Sequence, residues 1–153
     1  MMEKKYITEK EFQLIPVTQV VRDFVAESGV QNGVVFVITS HTTTGITVNE
    51  NLDCLYADIE ETLERLIPTN YPYAHAHFLP SYGATGGNAP GHLKSLLCGN
   101  HAVLPIKDGV IQCGFAQDIY LAEFDGPQVR CETFLLEKSR HSTSLNQYLM
   151  CVG

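Results

Sequence analysis

Hydrophobic positions change their spacing along this chain, and the changes mark out its elements. Between Lys4 and Ile15 the apolar residues Tyr6, Ile7, Phe12, Leu14 and Ile15 fit a strand or a hairpin arm, which Pro16 breaks. Val20, Val21, Phe24 and Val25 then follow the helical period, with Thr18 placed to cap the start and Gly29 the end. Behind Gly33, the run Val34 to Ile38 is apolar on both faces, which predicts a central strand. Leu55, Ile59, Leu63 and Leu66 form the stripe of a second helix, capped at Asp53 and stopped by Pro68, while Asp58, Glu60, Glu61 and Glu64 face water.

A third, shorter helix is expected over 89–97, with Asn88 as cap, Pro90 in its first turn and Gly99 past its end. The rest reads as strands. His101 to Lys107 alternates, Asp108-Gly109 is a hairpin turn, and Val110 to Phe115 returns. Ile119 to Phe124 and Val129 to Glu137 follow, separated by a turn at Asp125-Gly126-Pro127. This order of elements is that of an α+β protein, and 153 residues suffice for one core but are short for two. Residues 1–137 form the expected domain, and Lys138 to Gly153 a polar tail with a weakly apolar end.

Charge narrows the partners. Ten Lys and Arg against 17 Asp and Glu give a net charge of −7, which argues against nucleic acid or an anionic membrane. A phosphorylated substrate would need a few local cations or a metal. No signal-peptide core follows Lys4 and Lys5, and no window approaches the roughly eighteen apolar residues of a membrane helix, so a cytoplasmic protein is expected. The five cysteines are odd in number and widely spaced, as for free and mostly buried thiols.

The densest chemistry lies in Ser40 to Glu50, S-H-T-T-T-G-I-T-V-N-E. A turn at His41 to Gly45 followed by a strand places His41 at one rim of a sheet and Asn49 and Glu50 at the other. The plainer alternative is a threonine-rich β-segment with solvated hydroxyls. The irregular stretch Pro68 to Asn88 carries His75 and His77, and an H-x-H pair in extended backbone points both rings to one side. His92 and Lys94 follow on the short helix. Histidines from separate elements, with an acid such as Glu50, are the materials of a zinc or other divalent-metal site. His101 and His141 fall outside these blocks and read as surface residues.

The Ser40–Glu50 block, P-G-H-L-K-S-L-L-C-G, L-P-I-K-D-G and Q-D-I-Y-L-A-E-F-D-G-P-Q-V-R together resemble the ordered signatures of the YjbQ family, the secondary thiamine-phosphate synthases, over Tyr6 to Glu137. The resemblance implies a compact α+β domain, a mixed barrel-like sheet flanked by helices, and a homotrimer. It places a metal site on His41, on His75 or His77, and on His92, with zinc favoured and magnesium possible. The implied reaction couples a pyrimidine-methyl diphosphate to a thiazole phosphate, where a Lewis-acid metal and nearby cations neutralise the departing diphosphate.

Within that reading Lys94 and Arg130 supply cations, Arg130 with forked contacts to phosphate. Asn49 and Gln117 orient the pyrimidine, and Glu50 serves as ligand, base or histidine partner. Salt bridges at strand ends are the plainer role for Glu50 and Glu123, and surface ion pairs for Lys94 and Arg130. Ala116 stands where family members commonly carry tryptophan, and Gln128 where they tend to carry arginine. The family's synthase label rests on a secondary activity. A metal-dependent hydrolase with Glu50 as base and a non-catalytic metabolite-binding trimer therefore stand beside the transferase, and water entry to the metal separates the two enzymes.

Overall fold

The structure, a computed structural model, describes residues 1–76 and 86–139. Strands β1 (Met2–Ile7), β8 (Val129–Lys138), β3 (Gly33–Thr39), β5 (His101–Lys107) and β6 (Val110–Ile111) form a five-stranded sheet in that order. Strands β2 (Gln13–Pro16), β7 (Gln117–Glu123) and β4 (Thr44–Glu50) form a three-stranded one. Helices α1 (Thr18–Ser28), α2 (Asp53–Leu66) and α3 (Ala89–Cys98) flank them. The α+β, barrel-like expectation holds, with the sheet curled as half a barrel; the expected mixed sheet is corrected, since among the described residues every strand pairs antiparallel. Strand β3 lies between β8 and β5, the central place its apolar run predicts.

Alternation along β7 builds two cores. Ile119 and Leu121 join Val21 and Val25 of α1, Val35 and Val37 of β3, and Phe134 of β8. Tyr120 and Ala122 point the other way, to Leu14 and Phe124, and there Ile59 and Leu63 of α2 pack while only partly buried. No residue of α2 is fully buried, so this amphipathic helix rides high on the small sheet.

Several local expectations are corrected. Thr18 is not a cap: Val17 holds that position, while the Thr18 hydroxyl donates to Asp118 Oδ1 (2.5 Å) and accepts the Ile119 amide (2.8 Å). Leu52 rather than Asp53 is the cap of α2, and Asp53 faces the positive end of the helix dipole. Of the two readings of 4–15 the strand holds: β1 and β2 are strands, paired with β8 and β7. Asp108 (φ 51°) and Gly109 (φ 77°) do make the left-handed hairpin turn, but β6 stops at Ile111. The free cysteines are more open than expected: Cys54 is exposed, and Cys98, Cys113 and Cys131 are half-buried. His77, His141, Cys151 and the tail beyond Ser139 lie outside the described residues. Among the described residues no helix is long and apolar enough to cross a membrane.

Candidate functional site

Strands β3 and β4 belong to different sheets, and the turn between them carries His41. Both strands are tied to the residues that follow α3. The Thr39 amide donates to Asn100 O, and the Ile46 amide to Gly99 O, each at 3.0 Å. Of the block's threonines, Thr42 is exposed, as the plainer reading has it, but Thr43 and Thr44 are not solvated. Thr43 and Thr44 are 4% and 0% exposed. Thr44 Oγ1 meets Thr39 Oγ1 at 2.6 Å, and Thr43 Oγ1 accepts from Arg130 at 3.0 Å. The glycine of the block admits α3, since a Cβ on Gly45 would stand 2.5 Å from Cys98 Sγ.

Two histidines of the turn and helix face one groove. His41 and His92 line a space of 620 Å³ with Ser40, Leu93, Leu96 and Asn100. His41 Nε2 accepts the Cys131 amide at 2.9 Å, which places the proton of a neutral ring on Nδ1. His92 meets Thr42 O through Nδ1 at 3.2 Å. A carbonyl only accepts, so Nδ1 carries the proton and Nε2 the lone pair. Hydrogen bonds thus fix both rings in the same Nδ1–H tautomer but leave opposite functions free, the N–H of His41 and the Nε2 lone pair of His92. The His75 ring packs against His92 at 4.9 Å, and its Nδ1 meets Gly86 O at 3.1 Å. His75 sits in a 3₁₀ turn, Ala74–Ala76, so the extended H-x-H geometry does not apply to it.

The remaining candidates go elsewhere. Lys94, two positions from His92, leaves the opposite side of α3 and donates to Glu64 Oε2 at 3.1 Å. Arg130 is no open phosphate contact. It is 7% exposed and grips Glu123, itself 0% exposed, through Nε–Oε2 (2.6 Å) and Nη2–Oε1 (2.5 Å). Asn49 and Glu50 are exposed at the far end of β4, where Glu50 pairs in register with Gln117. Six strand steps separate Thr44 from Glu50, roughly 20 Å. Gln117 Oε1 accepts the Gly114 amide at 2.8 Å. Among the described residues no three of His, Cys, Asp and Glu converge as metal ligands do.

One residue near the site escaped sequence reasoning. Glu132 is 0% exposed, and neither carboxylate oxygen has a hydrogen-bond partner among the described residues. Burial pushes its carboxyl up to about 7. It pairs in register with Thr39 and follows Cys131, whose amide holds His41. The signal was its period-two spacing with Arg130 and Phe134, all three buried on β8.

Proteins similar to this one in sequence and shape are found in archaea and bacteria. The family model described as UPF0047 protein YjbQ-like matches residues 3–140. A UPF0047 protein of Methanocaldococcus jannaschii is 38% identical over 124 residues, covering 80% of this chain and 83% of that one. The UPF0047 protein YugU of Bacillus subtilis is 34% identical over 123 residues, covering 80% and 88%. The crystal structure of an uncharacterized YjbQ/UPF0047 protein from Clostridium acetobutylicum superposes with a TM-score of 0.81 at 34% identity, covering 90% of this chain and all (100%) of the other. Sequence blocks, fold and relatives agree that the chain belongs to the YjbQ-like UPF0047 family.

Proposed function

We propose that this protein is an enzyme acting on a small phosphorylated substrate in the His41–His92 groove, by transfer chemistry of the thiamine-phosphate-synthase type. The observation that carries the reading is that one hydrogen bond on each ring leaves opposite functions free on the two histidines of the groove. His41 offers an N–H to a substrate and His92 a lone pair to a metal beside it. Lys94 and Arg130 are engaged by Glu64 and Glu123, so the charge of a departing diphosphate falls to a metal. His75 and His92 are its proposed ligands, zinc being favoured over magnesium. Each meets a backbone carbonyl through Nδ1, the support usual for metal-binding histidines. His41 joins as a donor to substrate, because ligation through Nε2 would cost its bond to Cys131.

The hydrolase reading draws on the size of the groove, 620 Å³ as the described residues form it, which has room for water beside a substrate. The proposal includes a homotrimer. Ile7 beside Val129, and Leu135 and Val103 flanking Phe36, put exposed apolar side chains on one face of the larger sheet, which supports association with further copies.

Elemental analysis of wild type, His41→Ala and His92→Ala, with an assay for thiamine phosphate from its two heterocyclic precursors, tests the proposal. Expected are near-stoichiometric metal in wild type and His41→Ala, its loss in His92→Ala, and activity absent from both variants. Metal without synthase activity in wild type redirects the site to hydrolysis; no metal in wild type overturns the ligand assignment.

A further inference from the structure

We propose that the cleft beneath α2 binds a small zwitterion with an apolar tail, of the class of the aliphatic and aromatic α-amino acids. Because α2 rides high on the small sheet, two neighbouring cavities of 260 and 170 Å³ lie under it, both lined by Phe12, Leu63, Lys94 and Phe124. The smaller is a mainly apolar chamber, walled by Leu14, Ile59, Leu97 and Ala122 with Cys98, and with Thr47 and Asn49 of β4 as its polar edge. The larger adds Glu11, Glu60 and Glu64. Phe12 and Phe124 stack at 6.0 Å and 25°, an aromatic wall shared by both.

Lys94 carries the argument. Its residue is 7% exposed, and among the described residues Glu64 is its sole hydrogen-bond partner. An ammonium has three N–H donors, so two remain for a ligand acceptor. Glu64 is anchored independently by the Thr69 amide (2.7 Å) and hydroxyl (2.8 Å). Glu11 and Glu60 have no ion-pair partner among the described residues.

The charges select the ligand. A simple carboxylate would gain Lys94 but face three acids, and a simple amine would gain Glu11 and Glu60 but face Lys94. A zwitterion satisfies both: its carboxylate meets Lys94, its ammonium the two free acids, and its side chain the apolar chamber. This cleft lies on the other side of α3 from the histidine groove and stands independently of the chemistry proposed there.

The test is calorimetric titration of the full-length protein with L-leucine, L-phenylalanine, isopentylamine and 4-methylpentanoate, the last two being leucine without its carboxylate and without its amine. Melting temperature against ligand concentration gives a second readout. The expected result is binding of both amino acids, with each truncated ligand weaker by about tenfold or more. Lys94→Met and the double variant Glu11→Gln/Glu60→Gln should each weaken leucine by about tenfold or more as well. Glu11 and Glu60 are exposed, so the double variant keeps its fold even if Lys94→Met does not. Absence of heat and melting shift up to about 10 mM leucine overturns the proposal. So does equal binding of leucine and isopentylamine, which would make the cleft a cation site, or leucine binding indifferent to the double variant.

Discussion

Glu123 and Glu132 are both wholly withdrawn from solvent, yet the fold treats them in opposite ways. Glu123 accepts from Arg130 twice, from the Thr8 hydroxyl, and from the Phe124 and Asp125 amides. Glu132 accepts from no one among the described residues. Position explains the difference. Glu123 ends β7, where the chain turns and amides are left over from the ladder. Glu132 sits inside β8 between β1 and β3, opposite Lys4 and Thr39, where both ladders have consumed the backbone donors. A carboxylate at a strand end recruits its own solvation; one in mid-strand depends on side chains, and among the described residues none meets Glu132 in a hydrogen bond.

The comparison breaks most severely at Arg130. Arg130→Met leaves Glu123 buried with its charge uncompensated, and the expected loss is about 3–5 kcal/mol in urea unfolding. Adding Glu123→Gln should recover a good part of it. A loss below about 1 kcal/mol would mean that the amides alone carry the carboxylate and that the ion pair is incidental.

Next in size is Glu132→Gln, and its sign depends on pH. The folded carboxyl is raised from 4.5 to about 7, so the folded state holds its proton more tightly than the unfolded chain. The contribution is therefore favourable at low pH and lost as pH rises through 4.5 towards and past 7. Glutamine stays neutral throughout. The variant should match wild type near pH 4 and exceed it near pH 8 by up to about 3 kcal/mol, the linkage value of the shift from 4.5 to about 7. A gap that does not grow with pH would show that Glu132 is ionised and paired.

What was legible in the sequence was local. The apolar run of β3, the Gly29 stop of α1 and the Asp108-Gly109 hairpin are each decided within a few residues, and each is as expected. The blocks also located His41 and His92 on one groove, because β3 and β4 are both tied to the turn after α3. What was not legible needs the stacking of two sheets. Arg130 reads as an open cation until β7 and β8, seven residues apart at Glu123 and Arg130, are seen to face each other across the core. The tautomer of His41 is set by an amide 90 positions away. Asn49, Glu50 and Gln117 share a block or a family role with His41, but the length of β4 carries them to its other end.

The smallest expected effect sharpens the account of Glu132. The Tyr6 hydroxyl is buried without a hydrogen-bond partner among the described residues, and its pKa is raised by burial and by the nearby Glu132 carboxylate. The dipole of that hydroxyl favours the ionised carboxyl, and with the Lys4 charge it offsets part of the upward push from burial. Tyr6→Phe removes both an unsatisfied hydroxyl and that dipole. Relief of the hydroxyl should stabilise the protein near pH 4 by about 1 kcal/mol or less. Loss of the dipole should move the midpoint of the pH-dependent destabilisation upward from its wild-type position. Stability curves of the two proteins from pH 4 to 9 separate these effects, since the first shifts the curve as a whole and the second its inflection. A variant weaker than wild type at pH 4, with an unmoved inflection, would mean that Tyr6 is bonded to another group and that Glu132 owes its state to burial and Lys4 alone.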